Sequence, residues 1–140
     1  MALEIKGINK VLKRLTNLEN IKTVDAVTEV AEEMQNRIRD RAQTFSDVGY
    51  QYISKCEPRI YAHGCFIDVG LKSDGSTWNL WKGLYFHNFG YRQFYYGHDT
   101  GKMTTCYMLW FERAVQDSTE AIIQKLKLKV KDEVRKALAA

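Results

Sequence analysis

The sequence predicts an α+β fold with two N-terminal helices, a small antiparallel sheet with long loops, and a long C-terminal helix packed on the sheet. Apolar residues recur every three or four positions near both ends of the chain, which is the period of a helix. The middle of the chain alternates in polarity and holds eight of the nine glycines. Helices separated from an antiparallel sheet are typical of α+β proteins. The 140 residues predict a single domain over residues 1–140.

The N-terminal region predicts two amphipathic helices. The apolar face of the first helix consists of Ile5, Ile8, Leu12, Leu15 and Leu18. After a short break at residues 19–22, Thr23 can cap the second helix. The apolar stripe of the second helix consists of Val27, Ala31, Met34, Ile38 and Ala42.

The middle region predicts strands and loops. Tyr50, Tyr52 and Ile53 begin a β-prone stretch that is punctuated by Pro58. The segment "RIYAHGCFIDVGL" then alternates, which predicts a strand. One side of that strand would carry Tyr61, His63, Cys65, Ile67 and Val69. The composition of "KSDGSTWN" predicts a loop, and the pattern indicates a hairpin with a long tip between Val69 and Leu84.

The C-terminal helix is the strongest prediction from periodicity. It is expected from Tyr107 onward, and neither Gly nor Pro occurs between residue 102 and the end. Its apolar face consists of Phe111, Val115, Ile122, Leu126, Val130, Val134 and Leu138. Before it, "YRQFYYGHDTGKM" reads as a strand that enters a turn or a flexible loop.

Composition argues against several functional classes. The net charge of +4 is spread along the chain, whereas dedicated nucleic-acid binders usually carry a basic patch. No apolar run approaches the ~20 residues of a membrane span, and the charges in "MALEIKGINK" are unlike a signal peptide. We therefore expect no membrane association and a protein kept in a cytoplasm, where its three cysteines stay reduced.

No motif for catalysis, cofactor binding or metal binding stands out. His63 and Cys65 lack further ligands at an organised spacing. Cys106 with His87 or His98 is the conceivable nucleophilic pair, but no catalytic signature surrounds these residues. Phosphate-binding glycine loops are absent from the sequence. We expect no enzyme, no cofactor and no metal.

Aromatic residues beside an arginine offer an alternative, a small basic module that binds single-stranded nucleic acid. Such proteins stack bases on exposed aromatic rings. The candidates are Tyr91, Arg92, Phe94, Tyr95 and Tyr96. The other interpretation of these residues is a sheet face packed under the long helix.

Four segments together resemble the small tail-completion or head–tail joining proteins of tailed bacteriophages and prophages, the gene-product-ten-like tail-component family. These segments are "LEIKGINKVLKRLTNL", "SDVGYQYIS", "LYFHNFGY" and "YMLWFERAV". They span nearly the whole chain. Tyr85, Phe89 and Gly90 match the family's third segment, in which Asn88 stands at the place of the usual glutamate.

The resemblance implies a non-enzymatic virion protein, assembled in the bacterial host cytoplasm. It implies a ring, commonly a hexamer, that caps the tail as a terminator or joins it to the neck. Its partners would be copies of itself, the tail-tube protein and a neck or connector protein, while DNA passes through without specific binding. In this interpretation "GLYFHNFGY" is an aromatic core segment closed by a turn at Gly90.

The same interpretation places the subunit contacts in two loops, Lys72–Lys82 and Arg92–Lys102. Trp78 and Trp81 would be exposed interface anchors in the first loop, or would fold back on the sheet. In the second loop the expected contact residues are Tyr91, Arg92, Phe94, Tyr95 and Tyr96.

Overall fold

The computed structural model describes residues 7–19, 23–61, 64–71 and 76–139. It contains a short 3₁₀ turn, Gly49–Tyr52, between the second helix and the first strand. The helices are α1 (Ile8–Glu19), α2 (Thr23–Gln43), α3 (Trp78–Phe89) and α4 (Trp110–Ala139). The strands are β1 (Ile53–Lys55), β2 (Arg59–Tyr61), β3 (Gly64–Phe66), β4 (Val69–Leu71), β5 (Tyr91–Tyr95) and β6 (His98–Thr104).

The helices α2 and α4 pack against each other as an antiparallel pair. Glu29 pairs with Lys129 and Glu33 pairs with Lys125, so the two helices run in opposite directions. The predicted stripe of α2 turns inward, since Ala31, Ile38 and Ala42 are buried. Both helices are confirmed, although α4 begins at Trp110 rather than at Tyr107.

The core lies where the end of α2 meets the start of α4. Its buried members are Ile38, Ala42, Ile53, Leu84, Trp110 and Ala114. The indole N–H of Trp110 donates a 2.8 Å hydrogen bond to the carbonyl oxygen of Leu84. The polar edge of this large apolar side chain is therefore satisfied inside the core.

The β structure of the described residues consists of three two-stranded antiparallel pairs, β1–β4, β2–β3 and β5–β6. In the first pair Ile53 lies opposite Leu71. Val69, Leu71 and Phe111 pack on the same core cluster, which places the start of α4 against this pair. The predicted α+β class, with a long C-terminal helix packed on antiparallel β structure, is confirmed, although the β structure of the described residues is divided into three pairs and is not one small sheet.

The single strand expected from Tyr61 to Val69 is wrong. Tyr61 lies opposite Gly64 and Arg59 lies opposite Phe66, so the chain reverses and forms a hairpin. Alternation in polarity continues across both strands of a tight hairpin, and the pattern alone therefore does not locate the reversal. His63 lies outside the described residues.

The third helix, α3, was not predicted. The hairpin expected between Val69 and Leu84 is wrong, because β4 pairs with β1 and Leu84, where the second strand of that hairpin would begin, lies in α3. Its buried residues are Trp81, Leu84 and Asn88, whereas Tyr85, Phe86 and Phe89 are exposed. One of the three buried positions, Asn88, is polar. Apolar residues alone therefore do not show the helical spacing of this segment. The interpretation as an aromatic core segment is wrong, but Gly90 does make the expected turn, with φ of 76°.

The first helix, α1, lies beside the C-terminal end of α4. The side-chain amide of Asn17 donates a 3.0 Å hydrogen bond to the carbonyl of Ala137. The helix itself is confirmed from Ile8, and Ile5 lies outside the described residues. Its apolar residues Leu12 and Leu15 are more than half exposed.

Candidate functional site: an aromatic hairpin arm

The hairpin of β5 and β6, here named the aromatic arm (residues 91–104), projects from the body of the protein. Every residue from Tyr91 to Met103 is exposed. The exposed fraction reaches 63% at Phe94, 68% at Tyr95 and 85% at Tyr96. A two-stranded hairpin is at best marginally stable alone, and the rings of this hairpin bury little apolar area within the chain.

The tip of the arm is a two-residue turn. Tyr95 lies opposite His98, and the intervening Tyr96 and Gly97 have positive φ values of 48° and 79°. Two positive φ values mark the type I′ turn, whose twist matches that of the flanking strands. A tyrosine in this conformation is uncommon, and the turn holds its ring at the outermost point of the arm.

Polar bonds along the arm hold its two strands together. Arg92 forms a 2.8 Å ion pair with Asp99, and the side-chain amide of Gln93 donates to Thr104 Oγ1 at 2.9 Å. The Gly101 amide, and after it the Arg92 guanidinium, lower the pKa of the Asp99 carboxyl. Because Arg92 is paired, it is less available as a free cation than the sequence suggested.

The root of the arm is fixed by the buried residue Asn88. Its side-chain oxygen accepts a 3.0 Å hydrogen bond from the backbone N–H of Phe111. Its carbonyl accepts another, at 2.8 Å, from the N–H of Leu109, and its amide donates to Glu112 at 3.2 Å. The Asn88 side chain therefore satisfies one backbone N–H in the first turn of α4 and links that turn to the end of α3.

His87 lies beside this junction in a cluster of aromatic rings. Its ring centroid is 5.4 Å from those of Phe45, Tyr91 and Tyr107. Its Nδ1 atom is buried and has no hydrogen-bond partner among the described residues. Burial lowers the pKa of the imidazole below its ordinary value of 6.5, so the ring is neutral near pH 7. Neither Asn88 nor His87 carried a sequence signal for this role.

The structure brings five of the sequence-predicted interface residues together on the arm. These are Tyr91, Arg92, Phe94, Tyr95 and Tyr96. Trp78 is half-buried on α3, where its ring is 4.8 Å from that of Trp81 and 5.6 Å from that of Tyr85.

The expectation of an exposed anchor at Trp81 needs correction. This side chain is 4% exposed and its indole N–H donates to Thr77 Oγ1 at 3.1 Å. The helical turn of α3 points it inward, so it belongs to the interior of the single chain. Of the predicted loop at residues 72–82, residues 78–82 are helical, and residues 72–75 lie outside the described residues.

Within the described ranges, no group of three or more His, Cys, Asp or Glu side chains is arranged to hold a metal ion. Cys56, Cys65 and Cys106 are free thiols. Across the same ranges, no helix is both long enough and apolar enough to span a membrane.

Comparisons with protein-family models, with curated proteins and with solved structures gave no significant match. The case for function therefore depends on the geometry of the arm and on the sequence resemblance.

Proposed function

We propose that this chain is a structural virion protein of a phage or prophage. In this proposal it is a tail-completion or head–tail joining subunit, part of a ring at the junction of tail and neck. The sequence resemblance supplies the virion context. The single structural observation that supports an assembly role is the aromatic arm, which exposes its apolar surface to solvent.

The arm has the composition of a protein-binding surface. Tyr and Arg are enriched at the energetically important positions of interfaces, and the arm presents them on a hairpin with a defined turn. Exposed aromatic rings such as Phe94 and Tyr96 gain free energy when a partner covers them, at roughly 25 cal/mol per Å² of apolar area. In the proposed virion the arm contacts a neighbouring subunit, the tail-tube protein or the neck protein.

A ring also explains the modest charge of the protein. Subunits in a ring meet through two different surfaces that close on themselves, and the resemblance implies six copies. DNA that travels through such a ring is not gripped, which is consistent with the net charge of +4.

The decisive experiment is electron microscopy of particles from a producing strain in which this gene is deleted. Tails of abnormal length beside full heads would assign the protein to the tail cap. Tails of normal length beside heads that have lost DNA would assign it to the neck. Intact, joined virions would contradict the proposal.

A variant of the arm tests the structural basis of the proposal. Phe94→Thr, Tyr95→Thr and Tyr96→Asn together remove the aromatic rings, while Thr retains β propensity and Asn-Gly suits the type I′ turn. We expect this triple variant to melt close to the wild type and to fail to restore particles in the deletion strain. A matched control is Tyr61→Thr with Phe66→Thr, because these rings are also more than half exposed but lie on the β2–β3 hairpin. This control should restore particles, and equal loss by both variants would mean that the arm has no particular role.

The alternative, a module that binds single-stranded nucleic acid, retains one favourable observation. Tyr91, Tyr95 and Tyr96 are exposed beside Arg92, an arrangement that can stack bases. This function predicts salt-sensitive binding of single-stranded oligonucleotides that is lost in Tyr95→Ala. Absence of binding at low salt would exclude it.

A further inference from the structure

An open cleft lies where α2 ends and α4 begins. Its volume is about 360 Å³, and the residues that matter to its chemistry are Arg41, Phe45, Tyr107, Trp110 and Arg113. We name it the arginine cleft. The Phe45 and Tyr107 rings are stacked with centroids 4.3 Å apart, and Trp110 meets Phe45 edge-on at 5.5 Å. The cleft therefore has aromatic walls and two guanidinium groups.

The two arginines of the cleft are not engaged by the rest of the described chain. Neither the Arg41 nor the Arg113 side chain forms a hydrogen bond or an ion pair with any described residue, and no acidic residue lines the cleft. By contrast, Arg39 donates to the carbonyl of Ile53 at 2.7 Å. Both arginines are exposed, and two guanidinium groups without an ion-pair partner can bind carboxylates through paired N–H donors.

The opposite end of the same helix pair carries the complementary charge. A groove of about 170 Å³ lies between the start of α2 and the end of α4, and we name it the acidic groove. Four carboxylates and two lysines line it. Glu29 is paired with Lys129, and Glu133 with Lys136. Asp25 and Asp132 are left without an ion-pair partner among the described residues.

The two ends are too far apart to neutralise each other within one molecule. At 1.5 Å of rise per residue, Asp25 is about 24 Å along α2 from Arg41. Asp132 is about 28 Å along α4 from Arg113 by the same measure. Two cations at one end and two anions at the other favour ion pairs between different copies of the chain.

We propose that the arginine cleft of one copy binds Asp25 and Asp132 of the next copy, head to tail. This inference rests on the proposed function and names the contact that links neighbouring subunits of the ring. The contact joins two different surfaces, as a ring interface requires. The attraction joins exposed charges, so it is strongest at low ionic strength.

Charge reversal tests the contact in solution. The first variant, Arg41→Glu with Arg113→Glu, has two negative ends, and the second, Asp25→Lys with Asp132→Lys, has two positive ends. Sedimentation velocity at low ionic strength measures the association of each variant alone, of the wild type and of an equimolar mixture. Matched controls are Lys127→Glu with Lys131→Glu, and Glu57→Lys with Glu120→Lys, which make the same charge changes at exposed sites elsewhere.

We expect each reversed variant alone to self-associate about a hundredfold more weakly than the wild type. The mixture should regain association, because negative ends then meet positive ends, and both controls should behave like the wild type. Thermal melting of each variant shows whether it is folded, and rescue in the mixture cannot arise from unfolded protein.

Three outcomes would overturn the inference. Wild-type association that is indifferent to both reversals would remove this contact and leave the ring proposal standing. A wild type that stays monomeric at low ionic strength would also remove it, while the particle phenotype still decides the proposed function. Loss of oligonucleotide binding in Arg41→Glu with Arg113→Glu, with self-association unchanged, would reassign the cleft to nucleic acid.

Discussion

The orientation of α3 makes a prediction that separates the observed helix from the strand expected at the same residues. Leu84 is 2% exposed and belongs to the core cluster, whereas Phe86, two residues later, is 42% exposed. In a strand these two side chains would lie on the same face, because side chains alternate with a period of two. In the helix they point in different directions.

The expected magnitudes follow from burial. Leu84→Ala removes a fully buried side chain between α2, α3 and α4, and should cost about 3 kcal/mol of unfolding free energy. Phe86→Ala removes a ring that is 42% exposed and should lower the free energy of unfolding by no more than about 1 kcal/mol. Alanine is the best helix former, so neither substitution weakens the helix itself.

Urea denaturation followed by circular dichroism at 222 nm measures both values. The Leu84→Ala protein should also melt roughly 10 °C below the wild type. Tyr85→Ala is a second exposed control on the same helix. A cost for Phe86→Ala as large as that for Leu84→Ala would refute the helical assignment of this segment.

Three further predictions concern the junctions of the fold. Asn88→Ala should cost about 1–2 kcal/mol, because it removes the acceptor for the first turn of α4; Asn79→Ala, exposed on the same helix, should cost almost nothing in the same denaturation assay. The lowered pKa of His87 means that the unfolded chain binds the proton more readily, so stability should be full above pH 6.5 and fall as the pH drops through the pKa of the folded state. His87→Gln should lose that dependence between pH 7.5 and 5.5, and an unchanged profile would contradict the buried neutral ring. Lys125, and after it Arg37, lower the pKa of Glu33 below its ordinary value of 4.5. The stability that these two ion pairs give the folded protein should therefore disappear as the pH falls below that value. Between pH 7 and pH 3, the free energy of unfolding should fall less in Lys125→Met than in the wild type. Lys127 is exposed, so Lys127→Met should show the same fall as the wild type.

Part of the candidate site could be predicted from the sequence and part could not, and the arm shows why. Tyr91, Phe94, Tyr95 and Tyr96 are close in sequence, so any strand or turn would bring them together. Whether they lie under α4 or stand in solvent is decided by the rest of the chain. The arginine cleft needs the ends of α2 and α4 to meet, and Arg41 and Arg113 are distant in sequence.

The sequence by itself determined the helices α2 and α4 and the turn at Gly90. Apolar residues repeated at helical spacing favour a helix, and glycine tolerates positive φ. Both effects are local and do not depend on where the segment lies in the fold. Tertiary structure alone decided that α3 is helical and that Trp81 points inward. It also decided that Tyr85, Phe86, Phe89 and the rings of the arm are exposed. The physical reason is the buried polar residue Asn88. Its buried position becomes favourable only because the backbone N–H groups of Leu109 and Phe111, more than twenty residues away, donate hydrogen bonds to it.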